Sequence, residues 1–99
     1  MSITKNQNGD QLTVKIVGRL DTNTAPEFQK AVEPQLPAVK SLVLDFGGVD
    51  YVSSAGLRVL LTLEQEMEEK NGTMELHNVS DVVKDIFNIT GFLDILTIV

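Results

Sequence analysis

Ser41-Leu42-Val43-Leu44-Asp45-Phe46-Gly47-Gly48-Val49-Asp50-Tyr51-Val52-Ser53-Ser54-Ala55-Gly56-Leu57-Arg58-Val59-Leu60-Leu61 reads as a strand, a turn and a helix. Leu42, Val43 and Leu44 form a short apolar run, which predicts a buried strand stopping at Asp45 and turning at the Gly47-Gly48 pair. Beyond it, the apolar residues Leu57, Leu60, Leu61, Leu63 and Met67 fall on one arc at 100° per residue. Arg58, Thr62, Gln65, Glu66 and Glu69 share the opposite side. The helix is amphipathic, and Ser53 or Ser54 stands where its cap belongs. A serine there accepts hydrogen bonds from the first free backbone N–H groups, a local contribution of about 1 kcal/mol. The same N–H groups and the positive end of the helix also favour a phosphate carried by the serine. A plain cap and a phosphorylation switch are both compatible with this stretch.

Upstream, Leu12, Val14, Ile16 and Gly18 alternate with Thr13, Lys15 and Val17, the pattern of a strand with one buried face. The Asn8-Gly9-Asp10 turn and the alternating Ile3-Thr4-Lys5 before it predict a hairpin whose first strand lies at a sheet edge. Thr24 and Glu27 fit a capping box for a helix burying Phe28, Ala31 and Val32. Pro26 is tolerated in its first turn, and Pro34 and Pro37 end it near Val32 or Glu33 ahead of a loop. Downstream, Asn71-Gly72 stops the central helix and a strand runs through Met74, Glu75 and Leu76, which completes a right-handed βαβ crossover. Ser80 caps a further helix that buries Val82, Val83, Ile86 and Phe87 and stops at Gly91; Ile95, Leu96, Ile98 and Val99 form a last strand. The expected fold is α/β: a mixed sheet with an N-terminal edge hairpin and helices packed on it.

The 99 residues, 42% of them hydrophobic, suit a single domain spanning 1–99. A net charge of −6 argues against nucleic acid as a partner. The absence of cysteine excludes a disulfide framework and a thiolate nucleophile or metal site. No apolar run approaches the ~20 residues of a membrane span, and Met1-Ser2-Ile3-Thr4-Lys5-Asn6 lacks a signal-peptide core. A cytoplasmic protein is therefore expected, with no membrane association, and a monomer is the default expectation. Asn71-Gly72-Thr73, Asn78-Val79-Ser80 and Asn88-Ile89-Thr90 match the glycosylation tripeptide, which carries no weight without a secretory signal.

Enzymatic signatures are missing. There is no phosphate-binding or dinucleotide-binding glycine loop. Val52-Ser53-Ser54-Ala55-Gly56 lacks the first glycine of a nucleophile elbow, and His77 is the only histidine. One histidine and scattered carboxylates do not compose a metal site. Asp45 lacks the acidic pair and lysine of a phosphate-accepting receiver site and reads as a solvated turn residue. Glu64, Glu66, Glu68 and Glu69 read as an exposed helix face. No catalytic residue, cofactor or metal is expected.

Gly18-Arg19-Leu20-Asp21, the segment from Asp45 to Leu57, and Phe87-Asn88-Ile89-Thr90-Gly91-Phe92 together resemble the bacterial anti-sigma-factor antagonists, the stand-alone STAS-domain family. The resemblance covers nearly the whole chain, and the serine–glycine–leucine segment is its most specific part. It implies an antagonist whose unmodified form binds an anti-sigma factor that is also a serine kinase, releasing the sigma factor. The kinase then phosphorylates the helix-cap serine from ATP, and a separate serine phosphatase restores it. Registered on Gly56-Leu57, the acceptor falls on Ser54. Ser53 replaces the aspartate that commonly precedes it, which leaves Ser53 as the second candidate. The resemblance puts Asp21, Asp50, Ser53, Ser54, Gly56 and Arg58 in the partner-binding region. The alternative is a STAS scaffold or ligand-sensing module that uses the same surface without phosphorylation.

Overall fold

A computed structural model describes all of the residues, Met1–Val99. Five strands form one sheet in the order β1-β2-β3-β4-β5: β1 (Ser2–Asn8), β2 (Gln11–Leu20), β3 (Ser41–Val52), β4 (Thr73–His77) and β5 (Thr97–Ile98). The β1–β2 hairpin is antiparallel and turns at Gly9-Asp10, as the sequence predicts, whereas β2 through β5 run parallel. Parallel neighbours need long return paths, and helices supply them. These are α1 (Ala25–Val32), α2 (Ser54–Glu69) and α3 (Asp81–Thr90).

All three helices share one face of the sheet. Leu12, Val14 and Ile16 of β2, Leu42, Leu44 and Phe46 of β3, and Met74 and Leu76 of β4 are buried beneath them. From the helices come Phe28, Val32, Leu57, Leu60, Leu63, Met67, Val83 and Phe87. On the other face Lys15, Asp45 and His77 lie side by side in register, Lys15 exposed and Asp45 and His77 half-buried. Alternation along β2 was therefore a true signal of one-sided burial.

The central strand departs from expectation. It does not end at Asp45 but runs twelve residues to Val52. Lys15 pairs with Asp45 but Val17 with Gly48, and Gly18 pairs with Val49 but Arg19 with Tyr51, so β3 carries two extra residues over this stretch. They form bulges, which absorb unpaired residues and sharpen strand twist. Gly48 is required there: a Cβ would lie 2.8 Å from Val17 Cγ2 and 3.1 Å from the Ile16 carbonyl oxygen. The bulges convert the burial period from two to three, with Phe46, Val49 and Val52 inside. Asp45, expected in a turn, is a half-buried strand residue whose Oδ1 accepts hydrogen bonds from Gly47 N (2.9 Å) and Asn78 Nδ2 (3.1 Å). These two donors hold its carboxyl below the usual range.

Five smaller expectations also change. Val82, expected on the buried side of α3, is 60% exposed, and Val83 and Phe87 are the residues that the helix buries. Thr24 makes no cap for α1; its side chain is engaged by the preceding loop instead. After α1 the chain tightens into a 3₁₀ segment, Glu33–Ala38, rather than a free loop, anchored by buried Leu36. Glu64 is not on an exposed face: it follows Leu57 by two full turns, is 9% exposed, and its Oε2 has no hydrogen-bond partner. Burial, reinforced by Glu68, raises its pKa. The last strand shrinks to Thr97 and Ile98, because a 3₁₀ turn at Phe92–Asp94 is closed by Ile95 as its C-cap before the chain extends.

Candidate functional site at the start of α2

Strand β3 passes into α2 with no intervening loop. Ser53 bridges them: its N–H donates to the Leu20 carbonyl (2.8 Å), and its carbonyl accepts from Leu57 N (2.9 Å). With φ −87° and ψ 175° it is the N-cap, and its hydroxyl accepts from Gly56 N at 3.3 Å. Of the two serines left open by the sequence, Ser53 is thus the cap, and the description of Ser54 as the helix-cap residue is corrected. Ser54 is the first helical residue; it is exposed and its hydroxyl makes no hydrogen bond within the protein.

Gly56 fixes where both serines sit. It is buried against the end of β2, and a Cβ at this position would meet the Leu20 carbonyl oxygen at 2.7 Å and Leu20 Cγ at 2.9 Å. Any larger residue must push the first turn of α2 away from the sheet. Arg58 lies one turn beyond Ser54 on the same side of the helix, exposed and in no salt bridge.

The β2–α1 loop forms the neighbouring part of the rim, since Leu20, which binds Ser53, directly precedes Asp21. Asp21 Oδ1 accepts from Thr24 N (3.1 Å) and Asn23 N (3.0 Å). The Thr24 hydroxyl donates to the Arg19 carbonyl (2.6 Å) and accepts from Asp21 N (2.8 Å). The Thr24 N–H, followed by that of Asn23, holds the Asp21 carboxyl below its ordinary pKa, with Arg19 Nε 3.9 Å away adding to the effect. Asp21 therefore organises its own loop while keeping its charge at the surface. Asp50 is exposed on the second bulge of β3 and forms no ion pair.

Arg19 and Tyr51 are surface residues that the sequence pattern did not single out. They are paired across β2 and β3, and the Arg19 guanidinium lies 4.5 Å from the centroid of the Tyr51 ring. Their partnership depends on both bulges, so only the register reveals it.

With this geometry in view, comparison with known proteins is decisive. The sequence pattern of the STAS domain family matches residues 2–99. The chain belongs to the STAS family. The anti-sigma-B factor antagonist of Bacillus subtilis is 29% identical over 92 residues, covering 93% of this chain and 84% of that protein. That of Listeria monocytogenes is 30% identical over 95 residues, covering 95% and 83%. The anti-sigma factor antagonist SpoIIAA in its unphosphorylated form has the same fold, with a TM-score of 0.78 at 16% identity over 99% of this chain and 87% of that one. The chain is thus a STAS domain of the anti-sigma-factor antagonist family, a family of regulators.

This STAS domain also has an open cleft at the opposite end of α2. Glu33, Leu36, Pro37, Glu66, Glu69 and Lys70 line a space of about 320 Å³. Burial, with a hydrogen bond and charge from Glu33 and the charge of Glu69, pushes Glu66 up to about 7. Lys70 turns its Nζ to the Leu36 carbonyl. The cleft contains none of the residues at the start of α2, and no helix of the domain is long and apolar enough to cross a membrane.

Proposed function

We propose that this STAS domain acts as a phospho-switched antagonist of an anti-sigma factor and has no catalytic activity of its own. In its unmodified form it binds, as a cytoplasmic monomer, an anti-sigma factor that is also a serine kinase, and the sigma factor is freed. The kinase transfers the γ-phosphoryl group of ATP to Ser54. The Ser54 Oγ–P bond forms as the bond to ADP breaks, and the hydroxyl proton passes to a base on the kinase. A separate phosphatase hydrolyses the ester, returning the serine and inorganic phosphate.

The division of labour between adjacent serines carries this reading. Ser53 is committed to the Gly56 N–H, whereas Ser54 offers an exposed and unengaged hydroxyl. Phosphate on Ser54 leaves the cap intact and adds about −1.5 to −2 charges to a rim that already holds Asp21 and Asp50. Desolvating that charge against a partner opposes binding without any change of fold. Asp21, Asp50, Ser53, Ser54 and Arg58 form the contact region, with Gly56 setting its spacing.

A pull-down from lysate of the source organism with wild type and Ser54→Asp, read by mass spectrometry, tests the switch. An ATP-binding anti-sigma kinase should be held by wild type and lost by the variant. Equal retention of the same non-kinase proteins by both forms would instead support a static STAS scaffold. Phosphorylation that persists in Ser54→Ala would move the acceptor to Ser53.

A further inference from the structure

We infer that Arg58 is the internal counter-ion of a phosphate on Ser54, so that phosphorylation withdraws a cation from the rim as well as adding an anion. The inference rests on Ser54 being the acceptor. Residues four apart on a helix have Cβ atoms about 6 Å apart, within reach of an arginine and a phosphoserine. Arg58 is available for that contact: it is exposed and forms no ion pair. Its neighbours three and four residues away along α2 are Ser54, Ala55, Leu61 and Thr62, none of them acidic, and the acids of this helix begin only at Glu64. The Thr62 hydroxyl donates to the Arg58 backbone carbonyl at 3.0 Å, and the guanidinium makes no hydrogen bond or ion pair within the protein.

The other arginine of the rim is occupied. Arg19 stacks on Tyr51 and lies 3.9 Å from Asp21. Phosphate supplies three strong acceptors, and a guanidinium can engage two of them at once. The same geometry separates the two serines. Four residues beyond Ser53 is Leu57, which is buried, so a phosphate on Ser53 has no cation in reach on its own helix, and it would modify the hydroxyl that caps the helix. Before modification the rim presents Asp21, Asp50 and an unpaired Arg58. Afterwards Arg58 is bound within the molecule, and a partner carboxylate that met it loses its contact.

The test places phosphoserine at position 54 during translation and follows the phosphate by ³¹P NMR titration in the full chain. Its second ionisation is about pH 6 when unperturbed. Arg58→Gln should raise the midpoint by about half a unit relative to the Arg58 protein, and Arg58→Lys should recover part of the difference. Asp21, Asp50, Arg19 and the helix N–H groups act on all three proteins alike, so the difference reports position 58. Circular dichroism should show equal folding, because the altered side chain is exposed. Identical midpoints in the Arg58 and Arg58→Gln proteins would overturn the inference and leave the switch standing. Because no kinase is used, failure of every kinase to modify wild type would remove the switch while the titration stays readable.

Discussion

The two ends of α2 are built in opposite senses. At the N-terminal end there is no acidic residue in the first turn; Ser53 caps the helix, Ser54 is free, and Gly56 is pressed against β2. At the C-terminal end Glu64, Glu66, Glu68 and Glu69 crowd together with no basic residue in the last turn. A helix dipole favours anions at its start and cations at its finish. Here the first turn carries no acid of its own and the negative end is loaded with acids. The helix is held by Leu57, Leu60, Leu63 and Met67 in the core, so its surface charge need not serve its own stability. Packing supplies the stability, and the first turn is left open to receive negative charge.

The contrast can be broken most forcefully at the N-terminal end. Gly56→Val should cost about 3 kcal/mol in urea unfolding, because the added carbons collide with the Leu20 backbone as well as its side chain. A loss below 1 kcal/mol would mean that the first turn is not docked as described. Ser53→Ala should cost about 1 kcal/mol, comparable with Ser80→Ala at α3, where Ser80 Oγ accepts from Val83 N at 3.2 Å. If Ser53→Ala is neutral while Ser80→Ala is not, the cap of α2 lies elsewhere.

The C-terminal end yields a smaller, pH-dependent effect. Because the folded-state pKa of Glu66 is raised from 4.5 to about 7, its contribution to stability is complete below about pH 4.5 and is lost as pH rises through 7. After solvent screening this amounts to less than about 1 kcal/mol. Wild type should therefore lose stability relative to Glu66→Gln between pH 5 and pH 8; parallel pH profiles would remove the assignment. Smallest is Ser54→Asp, which should stabilise the helix by about 0.5 kcal/mol through the dipole. The same substitution is expected to abolish partner binding, so stability and binding should move in opposite directions.

Local chemistry was legible wherever a rule acts over a few residues. The Asn8-Gly9-Asp10 turn, the alternation of Leu12, Val14 and Ile16, the end of α1 at Val32 and the cap at Ser80 each follow from short-range signals. Glu64 could also have been found, since it lies on the same helical arc as Leu57 and Leu60, but a run of acids invites reading as a block. Thr24 shows the reverse error. Its spacing from Glu27 fits a capping box, yet the Asp21 N–H, 2.8 Å away, takes the acceptor lone pair that the cap would need, while the hydroxyl proton goes to the Arg19 carbonyl.

The sequence by itself determined the α/β order of elements, the one-sided burial of β2, the family, and the place of Ser53 and Ser54 at the start of the central helix. Periodicity, turn residues and caps are encoded within a few positions of one another. Only the tertiary structure decided that β3 continues through two bulges to Val52, that Ser53 rather than Ser54 caps α2, and that Arg19 meets Tyr51. The reason is physical: a bulge exists only relative to a partner strand, and the seat of Gly56 exists only once the Leu20 carbonyl stands 2.7 Å from where its Cβ would be.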